Sequence, residues 1–182
     1  SFNVIRLFNR LFRSTCCVAY ASGCFGFGAR DSFSFYVHKR LMMIKVKNVA
    51  FDSEYEQAIC SIRESVFINE QSIAPEIEFD GLDSSAIHAV VTVDGKHVGT
   101  GRILSDGHIG RIAIMRDFRG QGLGSKIVLS LIDEAKQSGY KRVYLGSQKQ
   151  AIDFYTKLGF TPFGEEFMEA GIVHMFMEKT LA

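Results

Sequence analysis

The chain has 182 residues, 47% of them hydrophobic, which is enough for one domain with a packed core. Its 21 basic and 20 acidic residues nearly cancel, so no charge excess points to nucleic acid, and no apolar run is long enough to suggest a membrane span. The four cysteines, Cys16, Cys17, Cys24 and Cys60, lack the spacing of a metal site, so no metal is expected and a reducing, cytoplasmic setting is the plain reading.

A compositional boundary falls near Met42-Met43. Residues 1–42 carry six of the basic residues and one acid, Asp31, among many phenylalanines and serines, which leaves the remainder net negative. Two readings compete for this extension. Val4 to Arg13 has the amphipathic, Arg-rich, acid-poor character of an organelle-targeting presequence. Alternatively the segment is vector-derived or translated upstream sequence, and the native start is Met43. Residues 43–182 are then the domain, and no internal repeat divides it.

Within it, Ile44-Lys45-Val46-Lys47-Asn48-Val49 alternates as a half-buried first strand. Asp52 or Ser53 suits the N-cap of a helix on which Tyr55, Ala58, Ile59, Ile62, Val66 and Phe67 recur every three or four residues. The loop from Ser72 to Ser84 holds Glu76, Glu78, Asp80 and Asp83. A solvated loop is the first expectation for these acids, and an anionic rim that draws in a cationic amine is the second. Ala86 to Val93 is a β-branched strand, and Asp94-Gly95 signals a tight hairpin into Lys96 to Leu104. Asp106-Gly107 turns into a fourth strand, Ile109 to Met115, and the short connections make this meander antiparallel.

Arg119-Gly120-Gln121-Gly122-Leu123-Gly124-Ser125 follows that strand and opens an amphipathic helix with Ile127, Val128, Leu131, Ile132 and Ala135 on one face. Strand, glycine-rich turn and helix aim several free backbone N–H groups and a helix N-terminus at one spot, which suits a phosphate or pyrophosphate. Arg119 adds a positive charge. The nucleotide-hydrolase loop GxxxxGK[ST] does not fit this register. A dinucleotide fingerprint needs an acid about 20 residues on, where Lys141-Arg142-Val143-Tyr144-Leu145 stands instead. The helix ends near Ser138-Gly139. A fifth strand, Lys141 to Gly146, is expected parallel to the fourth across this helical crossover. Gln150 to Leu158 reads as a short helix ended by Gly159, and Ile172 to Lys179 as a final strand.

Arg-x-x-Gly-x-Gly after a strand, followed by Ala151-Ile152-Asp153-Phe154-Tyr155-Thr156-Lys157-Leu158-Gly159-Phe160, resembles the paired signature of the GNAT superfamily of N-acetyltransferases. Val66-Phe67-Ile68-Asn69-Glu70-Gln71, the His88 strand, Gln148 and the run Phe167 to Met175 resemble a narrower bacterial branch, the YjcF/ElaA-like group. The resemblance covers nearly all of residues 43–182 and begins at Ile44, which favours Met43 as the native start. It implies an α/β (α+β) fold. A mixed central sheet of six to seven strands, flanked by about four helices, would have strands four and five parallel and splayed to admit a cofactor. It also implies acetyl-CoA as cosubstrate, a small-molecule or peptide amine as acceptor, direct transfer, and a possible homodimer paired through the C-terminal strand.

Under this resemblance the backbone of Ile112, Ala113 and Ile114 would pair with the pantetheine arm, and an amide there would face the thioester oxygen. Arg119, Gly120, Gln121, Gly122, Leu123, Gly124 and Ser125 would hold the pyrophosphate. Gln148 stands where many members carry Asn, and Phe154 is expected beside the cofactor and in the core. Tyr155 matches the general acid that protonates the departing thiolate, a task that an ordinary phenol with pKa about 10 performs without tuning. His174, Glu169 and Glu70 are candidates for the proton acceptor or amine-binding group, with Gln71 and His88 on the acceptor side. Cys60 sits mid-helix with no His or acid signature, which argues against an acyl-cysteine route. Two rivals remain: a non-catalytic acyl-CoA-binding module acting as sensor or interaction domain, and a transferase of longer acyl groups.

Overall fold

The computed structural model describes residues 42–52 and 54–181. The readings of the 1–42 extension, Met42 apart, and of Ser53 as a cap lie outside the described residues.

β1 (Ile44–Ala50) alternates half-buried and exposed residues, as its sequence requires. The carboxylate of Asp52 accepts the backbone N–H groups of Glu54 and Tyr55 at 3.1 and 3.4 Å and starts α1 (Glu56–Arg63). The helix continues as a π-helical stretch, Glu64–Asn69. A short α2 (Pro75–Glu78) has its proline in the first turn, where the missing N–H costs nothing. β2 (Ile87–Val93), β3 (Lys96–Ile103) and β4 (Ile109–Ile114) complete an antiparallel sheet in the order β1-β2-β3-β4. The expected hairpin closes with Asp94 and Gly95 at φ 48° and 86°, the pair of left-handed residues that matches strand twist.

One face of this sheet packs under α1, where Ile59 and Ile62 are buried with Val49, Val90 and Ala113. The other face carries α3 (Leu123–Gln137), whose Ile127, Val128, Leu131, Ile132 and Ala135 join Ala89, Val91 and Val98 in the main core. β5 (Arg142–Gln148), α4 (Ile152–Lys157), β6 (Thr161–Glu169) and β7 (Ile172–Thr180) follow, and the strands form a second antiparallel sheet ordered β5-β7-β6. Val143, Leu145 and Met177 from this sheet enter the same main core.

Two expectations change here. In place of one mixed sheet with β4 and β5 parallel along their length, there are two antiparallel sheets, of four and three strands. β4 and β5 meet in a single parallel bridge, His108 with Tyr144, and among the described residues no ladder extends it. The cause lies in β4. Thr100 pairs with Ala113 and Arg102 with Gly110, so Arg111 and Ile112 both stand opposite Gly101. Arg111 takes φ 54°, and such a bulge bends and twists its strand. Second, the largely exposed Thr161–Glu169 becomes an edge strand that the sequence reading left unassigned. It turns through Ala170 and Gly171, at φ 46° and 76°, into β7. β7 therefore has both edges occupied within this chain, by β5 and β6.

Candidate functional site

A cavity of about 270 Å3 opens where β4 and β5 part. Ile109, Gly110, Arg111 and Ile112 form one wall, and Leu145, Gly146 and Gln148 the other. α4 contributes Tyr155, the β6–β7 hairpin contributes Glu169 and His174, and the segment after the π-helical turn contributes Gln71 and Glu78. Motif residues far apart in sequence thus meet in one space.

Tyr155 is held edge-on between Phe154 and Phe160, with ring centroids at 4.9 and 5.9 Å. Burial pushes its phenol up to about 12, so it keeps its proton at neutral pH. His174 is fixed by Nδ1, which lies 2.9 Å from the Ile172 carbonyl oxygen, and by stacking on Phe167 at 5.6 Å. Its Nε2 faces Glu169 Oε2 at 3.9 Å. Gln148 lies opposite His174 in the β5–β7 register, and its Oε1 accepts a hydrogen bond from Gln150 at 2.6 Å. Gln71 Oε1 is buried without a partner among the described residues, which leaves an acceptor for a ligand N–H.

The glycine-rich turn leads to this cavity. Gly120 and Gly122 adopt φ 75° and 73°, and a Cβ on either would meet nothing within 4 Å. Open space before the start of the 15-residue α3 suits a pyrophosphate, with backbone N–H groups as donors. Gln121 is exposed and Ser125 half-buried there, whereas Leu123 is fully buried and offers only its backbone. A Cβ on Gly124 would stand 3.6 Å from the Phe154 ring, so the turn abuts the aromatic pair that contains Tyr155. Among the described residues β4 is laddered to β3 alone, and no strand pairs the other edge of Ile112, Ala113 and Ile114, where the Ile114 carbonyl oxygen accepts from the Arg119 side chain. Such an edge can take an extended pantetheine arm, so the residues present fit an acyl-CoA.

Arg119 is not a free cation. Its Nη2 lies 2.9 Å from Glu70 Oε2, and its Nε donates to the Ile114 carbonyl oxygen at 2.8 Å. Glu70, a candidate for the proton acceptor or amine-binding group, is thereby paired to the glycine-rich turn. His88 is placed elsewhere: it is 1% exposed, 3.2 Å from the Asp83 carbonyl oxygen, and packed against Phe51 at 5.3 Å.

Two of the loop acids are drawn out of solvent into an ion-pair cluster. Glu78 and Asp83 are buried, each 2.6 Å from Arg63 of α1. Arg102 of β3 reaches Asp83 at 2.7 Å and also hydrogen-bonds Asp80. Arg111 reaches Glu78 at 3.2 Å and Asp80 at 3.1 Å, so the ion pairs tie the loop to the bulge in β4. The Arg102 hydrogen bonds hold the Asp80 carboxyl down at about 2. Glu76 and Asp80 keep contact with solvent, Asp80 while paired to Arg102 and Arg111. No local pattern announces this cluster, because its arginines come from three elements and acquire partners only in the fold.

Sequence reasoning also passed over His108. It lines the cavity and stacks on Tyr144 with centroids 4.9 Å apart and planes 11° apart. Burial pushes its imidazole below the ordinary value, and nearby Arg102 and Arg111 act in the same direction. A lone His before an apolar strand carries no signal by itself.

Residues 51–181 match the family model of the acetyltransferase (GNAT) domain. The chain is 38% identical over 122 residues to the uncharacterized N-acetyltransferase YjcF of Bacillus subtilis, spanning 65% of this chain and 87% of that protein. It is 36% identical over 145 residues to the protein YyaT of the same organism, spanning 76% and 97%. Among solved structures, Escherichia coli ElaA superposes with a TM-score of 0.67 at 27% identity, covering 75% of this chain and 99% of that one. An acyl-CoA N-acyltransferase from Pseudomonas aeruginosa gives a TM-score of 0.68, also at 27% identity and with the same coverage. Family model, relatives and solved structures agree with the open strand edge and its glycine turn: the chain belongs to the GNAT acetyltransferase family.

Proposed function

We propose that the protein is an acetyl-CoA-dependent N-acetyltransferase of the cytoplasm that acetylates a primary amine of a small molecule or peptide by direct transfer. One observation carries this reading: Tyr155, His174 and Glu169 line a single cavity at the end of the strand edge that leads from the glycine turn. Bound acyl-CoA supplies an activated thioester. The backbone of Gly120 to Ser125 holds its pyrophosphate, and the open edge of Ile112 to Ile114 aligns its arm and polarises the acyl oxygen. Tyr155 keeps its proton until the thiolate leaves and then donates it. Glu169, with His174 beside it and Gln71 across from it, holds the acceptor's ammonium group. A cavity of about 270 Å3 is at the small end of ligand sites, about 300–1,000 Å3, which favours a short acyl group over a long one. Burial raises the pKa of Cys60 on α1, which disfavours the thiolate that an acyl-cysteine route needs.

Calorimetric titration of the full chain with acetyl-CoA and CoA, followed by thiol-release assays on polyamines, aminoglycosides and short peptides, tests this. Micromolar binding with release on one amine is the expected result. Binding without release on any amine would favour the sensor module, and no binding would overturn the acyl-CoA assignment.

A further inference from the structure

Three histidines lie in or near the site, and they differ in what their nitrogens do. His88 Nε2 is occupied by the Asp83 carbonyl oxygen and His174 Nδ1 by the Ile172 carbonyl oxygen, while His174 Nε2 stands 3.9 Å from Glu169 Oε2, beyond hydrogen-bond reach. Neither ring nitrogen of His108 has a hydrogen-bond partner among the described residues, yet the ring is firmly placed. Tyr144 stacks on it at 4.9 Å, the Tyr144 hydroxyl donates to Asp106 at 2.6 Å, and Asp106 accepts the His108 backbone N–H at 3.0 Å. The imidazole edge, Cε1 and Nε2, points over Gly110, 4.0 Å from where a Cβ would stand. Gly110 lines the cavity, so its missing side chain keeps the space before that nitrogen open.

We propose that His108 is the general base of the reaction and takes the proton of the acceptor's ammonium group, with Glu169 holding the positive charge as it arrives. This assignment rests on the acetyltransferase reading. Around the ring, Asp106 and Glu169 favour protonation, whereas burial, Arg102 and Arg111 oppose it. The balance leaves a neutral imidazole at neutral pH, which is the state a base requires. One N–H bond of the ammonium breaks, its proton goes to His108, and the freed lone pair attacks the thioester carbon. The C–N bond forms, the C–S bond breaks with its electron pair on sulfur, and Tyr155 protonates that sulfur. The nitrogen's surplus proton returns through solvent to the Tyr155 phenolate. Overall one proton leaves, from His108 to water.

The test compares wild type with His108→Gln and His108→Phe, the second of which preserves the stack on Tyr144. CoA affinity is read by calorimetry, and thiol release from acetyl-CoA is read with spermidine, phenethylamine and ethanolamine between about pH 6 and 9. Both variants are expected to bind CoA like wild type and to lose ~100-fold in kcat/KM near pH 7, with the loss shrinking as pH rises and free amine accumulates. A loss under about 3-fold, or one equal at every pH, overturns the proposal. If wild type turns over none of the three amines, bromoacetyl-CoA replaces them, because a nucleophile at the amine position displaces its bromide. A CoA adduct on the His108 peptide, absent from His108→Gln, supports the assignment; an adduct elsewhere, or none, overturns it. Failure of wild type to bind CoA would show instead that the acetyltransferase reading is wrong.

Discussion

Tyr155 and His108 sit in one cavity and are driven apart in acidity. Burial pushes the phenol up to about 12, and it pushes the imidazole below its usual 6.5, so in the proposed roles the acid stays loaded and the base stays empty between those limits. The pH profile of kcat/KM should therefore show an acid limb that falls below pH 6.5, and no loss from Tyr155 ionisation as pH passes the ordinary tyrosine value of 10. An acid limb above neutrality would contradict this. Tyr155→Phe keeps the aromatic packing and removes the proton, so thiol release should drop ~100- to 1,000-fold while calorimetry finds CoA affinity intact. That Tyr155, His174 and Glu169 share one cavity was legible because each sits in a recognisable local run. His108 was not, since what sets it apart is a stack on a residue of another strand and an absent hydrogen bond. The pairing of Glu70 was not legible either, since it depends on where Arg119 folds back.

The segment from α2 to β2 is held less by apolar packing than by three guanidinium groups. Arg63 is 0% exposed and touches both Glu78 and Asp83. Arg63→Met would leave both carboxylates buried beside a missing charge, and should cost about 3–5 kcal/mol in a chemical-denaturation measurement. A change under about 1 kcal/mol would mean that the cluster rearranges around the gap. α1, α3 and the β2–β3 hairpin were readable from periodicity and turn chemistry, because each buries one continuous apolar face or closes a two-residue turn. β6 was not readable: as a mostly exposed edge strand it alternates too little, and β7 supplies its order.

In the molecule as a whole, the succession of elements followed from sequence, whereas their division into two sheets did not. A parallel neighbour relation was expected from the crossover through α3, but the bulge at Arg111 turns β4 aside after one bridge. Gly107 stands at that junction, with φ 88° and its carbonyl oxygen accepting the Tyr144 N–H at 3.0 Å. A Cβ there would lie 2.6 Å from the Arg142 carbonyl oxygen. Gly107→Ala should cost about 2–4 kcal/mol through left-handed strain and overpacking, and should weaken CoA binding because the gap loses its fixed apex. Unchanged melting and unchanged affinity would show that the junction yields freely.

The single bridge between β4 and β5 makes the molecule resemble a book bound at one stitch, with α3 as its spine. On the proposed function, a pantetheine arm laid between the covers becomes a temporary strand, and the sheet is finished only while a substrate is inside. Catalysis and architecture then share one set of backbone groups, and each turnover ends by unmaking part of the fold.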